Sequence, residues 1–295
     1  APHVDQPASP AGRPGVLVQS STDSWRRANC DPRSALYLRR VIQHPQPVSG
    51  PADGPILLGD TVRQSQVLES LAAAVNYNRW LTSMAVRHLG DAPIELGSGL
   101  GNYAQAWLDA GVPRVTVTEI DPSRLAKLRT RFAGHSRVSV DSFDVLTEPQ
   151  GAYSALVAFN VLEHIPDHVR ALRGAHTLLR AGGLVVMFVP AFNFAMSRFD
   201  RRVGHVRRYT VKSMRAAMEQ AGLEVQEARY VNMPGLPAWF VGMRLLRGSP
   251  HEGPLLKAWD RYVIPLARRW ESGRRIPFGQ SVFAVGRVPG SDTDG

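Results

Sequence analysis

From Gln64 onward, apolar residues recur at helical spacing, first in QSQVLESLAAAV and then in YNRWLTSMAVRHLG, which ends at Gly90, a residue suited to a C-terminal cap. After them, short apolar runs alternate with amphipathic stretches. The runs 93–96, 115–119, 138–140, 155–159 and 184–189 read as strands, and the stretches 103–110, 122–132, 167–179 and 211–221 as helices. Five such alternations with short connections predict an α/β fold, a parallel sheet covered on both faces. Two later strands are predicted, LEVQEARYV from Leu223 and QSVFAVGRV from Gln280, separated by an insertion that carries Trp239, Phe240, Trp259, Tyr262 and Trp270.

The pattern divides the chain into 1–57, 58–231, 232–279 and 280–295. The first of these is rich in Pro, Gly, Ser and Ala and reads as a mobile segment with a partly helical middle, SWRRANCDPRSALYLRRVIQ. That middle suits a cover over a ligand, a contact with a neighbouring subunit, or a plain linker. The second is the core, the third a helical aromatic insertion, and the last a final strand with a tail.

At 295 residues and 44% hydrophobic content the chain can bury a sizeable core. Its longest apolar run, LVVMFVPAF, contains a proline and is far shorter than the ~20 residues of a membrane-spanning helix. The first residues, APHVDQPASPAGRPG, lack a basic stretch leading into an apolar one, so the cytoplasm is the expected location. Cys30, the only cysteine, excludes an internal disulfide and a cysteine-cluster metal site. The net charge of +10 is carried almost wholly by arginine, since Lys127, Lys212 and Lys257 are the only lysines. No nucleic-acid motif accompanies it, and a small-molecule acceptor is expected instead.

The stretch IELGSGLGNY follows the first predicted strand. Gly97, Gly99 and Gly101 permit positive φ in a tight turn and bring bare backbone to a ligand, which points to a nucleotide-type group. The spacing is G-x-G-x-G, and Glu95 stands two residues before the first glycine, where a carboxylate suits an ammonium group better than a pyrophosphate. The second strand ends TVTEIDP, placing Glu119 where it can accept hydrogen bonds from ribose hydroxyls, with Asp121 left to cap the next helix. The third leads into Phe143 and Asp144, an apolar surface and an acceptor for an adenine.

Together, IELGSGLGNY, VTVTEIDPSRL, SFDVL, ALVAFNVLEHIPD and HTLLRAGGLVVMFVP resemble the class I S-adenosylmethionine-dependent methyltransferases over residues 77–230. The resemblance implies a Rossmann-like, seven-stranded, mostly parallel sheet whose antiparallel last strand is QSVFAVGRV. It implies S-adenosyl-L-methionine as cofactor, with S-adenosyl-L-homocysteine as its product. Glu95 and the three glycines then hold the methionine end, Glu119 the ribose and Asp144 the adenine. LLRAGG departs from the family's usual turn in having Ala181 for proline. A shorter stretch, GHVRRYT, resembles a subgroup of bacterial methyltransferases, some joined to glycosyltransferase modules.

An activated methyl donor needs a positioned nucleophile and a dry site rather than a metal. Asn160 suits the cofactor's methionine end, and Glu163, His164 or His205 suits proton removal from the acceptor; Glu163 and His164 equally suit capping the following helix. Arg207, Arg208 and Tyr209 suit an anionic acceptor, with Trp239 of the insertion covering its apolar part. The insertion also suits a lid with its own small core or a homo-oligomer contact. Three readings stand: methylation of a small or lipid-like metabolite, carbon methylation of an isoprenoid diphosphate with Glu163 as base and Mg2+ on the diphosphate, and a nicotinamide-dependent oxidoreductase.

Overall fold

A computed structural model describes residues 59–245 and 253–290. The predicted N-terminal helical piece lies outside these residues. Two helices come first, α1 (Thr61–Ala72) and α2 (Val75–Ala85), the second followed by a 3-10 turn over Val86–His88 that carries the chain to Gly90 at φ +68°. The strands are β1 (Ile94–Leu96), β2 (Val115–Thr118), β3 (Val138–Asp141), β4 (Tyr153–Phe159), β5 (Leu179–Pro190), β6 (Glu224–Val231) and β7 (Ser281–Arg287). Between them lie α3 (Asn102–Asp109), α4 (Pro122–Arg131), α5 (His168–Thr177), α6 (Arg198–Arg202) and α7 (Val211–Gln220).

The strands form one sheet in the order β3-β2-β1-β4-β5-β7-β6. β1 to β5 pair in parallel, and β7 runs antiparallel between β5 and β6. This is the expected seven-stranded arrangement. Position in the sheet follows sequence: β4 and β7 are almost wholly buried apolar runs, whereas the two edges, β3 and β6, alternate with exposed residues. Apolar residues pack on both faces, one layer around Leu156, Leu172, Met187 and Met214 and the other around Leu81, Trp107, Leu128 and Phe188.

One strand is longer than its pattern suggested. β5 starts at Leu179, runs through Gly182 at φ +73°, and shifts register against β4 between Tyr153 and Ala155. The glycine pair lets the strand begin with a bulge where a periodic apolar pattern is absent.

The insertion is helical: α8 (Gly235–Trp239) runs on into a π-helical turn, and α9 (Pro254–Ala258), a second π turn (Trp259–Val263) and α10 (Ile264–Glu271) follow one another directly. Two buried acids fasten it to the body. Asp260 accepts hydrogen bonds from the backbone N–H groups of Asn76 and Tyr77 at 2.9 and 2.8 Å. These N–H groups belong to the first turn of α2, whose own cap residue, Ala74, has no side-chain acceptor, so a distant helix supplies the missing cap. Glu271 likewise accepts from the N–H groups of Asn232 and Met233 at 3.0 and 2.8 Å.

Asp260→Ala leaves these buried donors of α2 unmatched; it is expected to cost about 2 kcal/mol and lower Tm by roughly 4 to 8 °C. A melting curve unchanged from wild type would remove the capping role.

Candidate functional site

The order β2-β1-β4 puts a switch point between β1 and β4, whose connections leave the sheet on opposite sides, and the C-terminal ends of these strands converge there. After β1 the chain takes left-handed conformations at Gly97, Gly99 and Gly101, with φ of +66, +57 and +76°. A Cβ at Gly97 would lie 2.7 Å from Val161 Cγ2, and one at Gly101 would lie 2.6 Å from the Phe132 ring. The turn is therefore fixed by backbone sign and by close packing together.

Glu95 is buried within β1, and its Oε2 has no hydrogen-bond partner. Burial pushes its carboxyl up to about 8. Such an acid is what an ammonium group would satisfy. Asn160, at the exposed tip of β4, is held at φ +54°, a left-handed conformation that asparagine adopts more readily than most residues.

Glu119 is placed as expected but is already well supplied with donors. Its carboxylate accepts from the N–H groups of Gly99, Ile120 and Asp121 and pairs with the buried Arg124 at 3.2 Å. Arg124 in turn donates to Gln64 of α1. Asp121 caps α4 by accepting from the Arg124 N–H. Asp144 accepts from the Leu146 N–H and so caps a 3-10 turn, and burial raises its carboxyl; Phe143 packs against the core beside it.

The fold brings Glu163, His164 and His205 into one cluster, although His205 lies about forty residues further along. The link is local and specific: the Val206 N–H donates to the Glu163 carbonyl at 2.9 Å, and the rings of His164 and His205 meet edge-on at 4.6 Å. Glu163 is fully buried, with neither carboxylate oxygen hydrogen-bonded; His205 Nε2 lies 3.8 Å from its Oε1. Burial pushes Glu163 up to about 7, against the opposing pull of His205 and Arg208. Burial, with His205 and Arg124 nearby, pushes His164 down to about 3, so it is neutral at physiological pH. Each of the three offers one donor atom within 4.8 Å of the others, a two-histidine, one-carboxylate set of the kind that can hold a divalent metal.

Asp200, which the sequence pattern did not single out, organises this cluster. Its Oδ1 lies 3.0 Å from His205 Nδ1 and accepts from Arg208 at 2.8 Å, while its Oδ2 accepts from the Ser197 N–H and hydroxyl. Burial alone would raise this carboxyl, yet His205 and Arg208 hold it well below the usual carboxylate range. The S-x-x-D spacing of a capping box, Ser197 to Asp200, is the sequence signal that marks it.

The proposed anion cradle is not assembled as a pair of open arginines. Arg208 is buried, bonded to Asp200 and to the Ala191 carbonyl, with Trp239 lying over its guanidinium at 4.9 Å. Arg207 is half-buried and donates to the Pro166 carbonyl. Tyr209 is almost wholly buried, its hydroxyl 3.0 Å from His168 Nδ1. The reason is that Ala191 bridges to Tyr209 and draws the stretch inward beside the end of β5. Trp239 itself donates to the Ala195 carbonyl.

A family model described as a methyltransferase domain matches residues 63–228, more than half of the chain. The chain belongs to this methyltransferase-domain family. Among curated proteins, the domain is similar to a ubiquinone biosynthesis O-methyltransferase of Xanthomonas campestris pv. campestris, 28% identical over 115 residues, covering 37% of this chain and 46% of that protein. It is also similar to the polyketide synthase component of lovastatin nonaketide synthase from Aspergillus terreus, 30% identical over 129 residues, covering 40% of this chain and 4% of that protein. The chain thus spans less than half the length of these curated relatives. Among solved structures, phosphoethanolamine N-methyltransferase 2 of Haemonchus contortus, with S-adenosyl-L-methionine, superposes with a TM-score of 0.50 at 13% identity, covering 72% of this chain and 53% of that one. A chain of the Haloferax volcanii complex containing the Trm112 methyltransferase activator gives 0.51 at 15% identity, covering 82% of this chain and all of that one. These two likenesses establish the fold of the methyltransferase domain.

Because burial raises Glu95 and Glu163 above the values they take when unfolded, the folded domain binds more protons from about pH 4.5 up to about 8. Its stability therefore falls as pH rises through that window and levels off above it. Glu163→Gln removes one of these groups and is expected to stabilise the domain by about 3 kcal/mol at pH 8, with the gain vanishing near pH 4. Melting curves across this range check it; parallel pH profiles for wild type and variant would refute the burial argument.

Proposed function

We propose that the chain is an S-adenosylmethionine-dependent methyltransferase acting on a small or lipid-like metabolite. The observation that carries this reading is the buried Glu95 carboxyl, one oxygen of which has no partner, beside a turn of three left-handed glycines and at the same end of the sheet as Asn160. Glu95 and Asn160 would hold the methionine end, Glu119 the ribose, and Phe143 with Asp144 the adenine. S-Adenosylmethionine supplies an activated methyl group on its sulfonium. For Glu119 to accept ribose hydroxyls, its carboxylate exchanges bonds now made by Arg124.

Glu163 is assigned as the base. Its carboxyl sits near neutrality and its oxygens have no protein donors, so it can take a proton from an acceptor hydroxyl or amine. His205 stands behind it, its Nε2 3.8 Å from the Glu163 carboxyl and its Nδ1 3.0 Å from Asp200. The observed bonding of Arg207 and Arg208 favours oxygen or nitrogen methylation over the diphosphate reading, which needs both guanidinium groups turned to the substrate.

S-Adenosylhomocysteine is expected to raise the melting temperature of the chain, and Glu119→Ala to weaken that shift at least tenfold in ligand concentration. Stabilisation by NAD with none by S-adenosylhomocysteine would replace the assignment with an oxidoreductase. Arg124→Ala should tighten S-adenosylhomocysteine binding, because it frees the ribose acceptor; weaker binding would make Arg124 a ligand contact itself.

Glu163→Ala should lower kcat by 10²- to 10⁴-fold with S-adenosylhomocysteine affinity retained. In the wild type kcat/KM should rise with pH to a plateau, with an apparent pKa near the value of about 7 set by burial of Glu163. Full turnover by the variant on the acceptor that wild type methylates removes Glu163 from the chemistry.

A further inference from the structure

The two carboxylates of α9, its following π turn and α10 both point inward. Asp260 and Glu271 are buried and bonded to backbone N–H groups of the body. The arginines of the same rod and of the turn after it point outward: Arg261, Arg268, Arg269, Arg274 and Arg275 are all exposed. The sequence could place charges here; only the fold shows that one sign has been withdrawn and the other left facing water.

Large apolar side chains are exposed along the same rod. Leu255, Tyr262, Leu266 and Trp270 are 81, 62, 69 and 47% exposed, and steps of four residues hold Tyr262, Leu266 and Trp270 on one face of the rod. The residues that pack against the body, Ile264 and Ala267, lie on another. The rod thus has a packed side and an uncovered apolar stripe flanked by cations. Arg274 lies against the Trp270 ring, and Arg261 against that of Tyr262. On the same rod, a cleft of about 500 Å³ is lined by Asn76, Ile264, Pro265, Arg268, Arg269 and Ser272.

We infer that this face binds an anionic lipid surface. The stripe would enter the headgroup and acyl boundary, with Trp270 and Tyr262 at the depth where such rings are favoured, and the arginines would meet lipid phosphates. Charge decides between lipid and the other candidate occupants. A second copy of the chain would press the same five arginines against themselves. Nucleic acid would match the cations but has no use for the exposed aliphatic ends of Leu255 and Leu266. The inference stands apart from the methyl-transfer reading.

The test is co-sedimentation of the full chain with vesicles of phosphatidylglycerol and phosphatidylcholine, and with vesicles of phosphatidylcholine alone. Strong binding to the first, weak binding to the second and loss of binding at high salt are expected. Arg268→Ala with Arg269→Ala should lower the partition coefficient roughly 30-fold, and Leu266→Ser tenfold or more. Both changes are on exposed positions, and unchanged melting curves and S-adenosylhomocysteine binding establish that the variants are folded. No binding to anionic vesicles at low salt, or variants that bind as wild type does, overturns the inference. So does a dimer in solution that Leu266→Ser dissociates, which would give the face to a second copy.

Discussion

Taking a carboxylate out of water is costly unless donors meet it, and this chain buries several. How each is met separates scaffold from site. Asp121 and Asp260 cap helices, Glu271 binds two N–H groups at the base of the insertion, and Glu119 and Asp200 are each met by an arginine and by backbone donors. Glu95 and Glu163 are the exceptions. Each has at least one buried oxygen without a donor, each is raised toward neutrality by burial, and both follow strands adjacent at the switch point of the sheet or lie within one of them. A fold under no constraint but stability would replace them, since an amide at either position removes the desolvation penalty.

The sheet was legible from the alternation of apolar runs because buried parallel strands leave continuous hydrophobic segments, and β4 and β7 do so plainly. The Asp121 cap was legible as well, from a single acid before a proline. Contacts between distant segments were not. Nothing in the spacing of Glu163 and His205 announces that Val206 will donate to the Glu163 carbonyl, and nothing in GHVRRYT tells which arginine turns inward. Arginine is ambiguous in a sequence because its long stem lets one residue reach water while its neighbour fills a core position. Arg207 and Arg208 do almost that. Arg124 was missed for the same reason: it follows a proline within an ordinary helix start, and only the fold lays it on Glu119.

The charge of +10 takes on meaning once it is located. Spread evenly, an excess of arginine says little beyond composition. In the rod that runs from Pro254 to Glu271 the two signs are sorted, acids to the body and cations to solvent, by the same capping bonds that fasten the insertion. Docking and surface character are therefore one device: the acids that hold the rod in place are withdrawn from its outer side, where arginines and apolar side chains remain.

The Glu163 cluster shows a comparable economy of parts. An imidazole between two carboxylates can hold one proton toward either, and the environment sets the preference. Asp200 is kept ionised by His205 and Arg208 beside it, with its other oxygen bonded to Ser197. Glu163, whose carboxyl oxygens have no hydrogen bond from the protein, is the weaker acid of the two, raised toward neutrality by burial. Burying Arg208 thus contributes more than a lost surface charge would suggest: it holds the charge on Asp200, the carboxylate that lies against His205, and leaves Glu163 as the carboxyl of the cluster nearest neutrality.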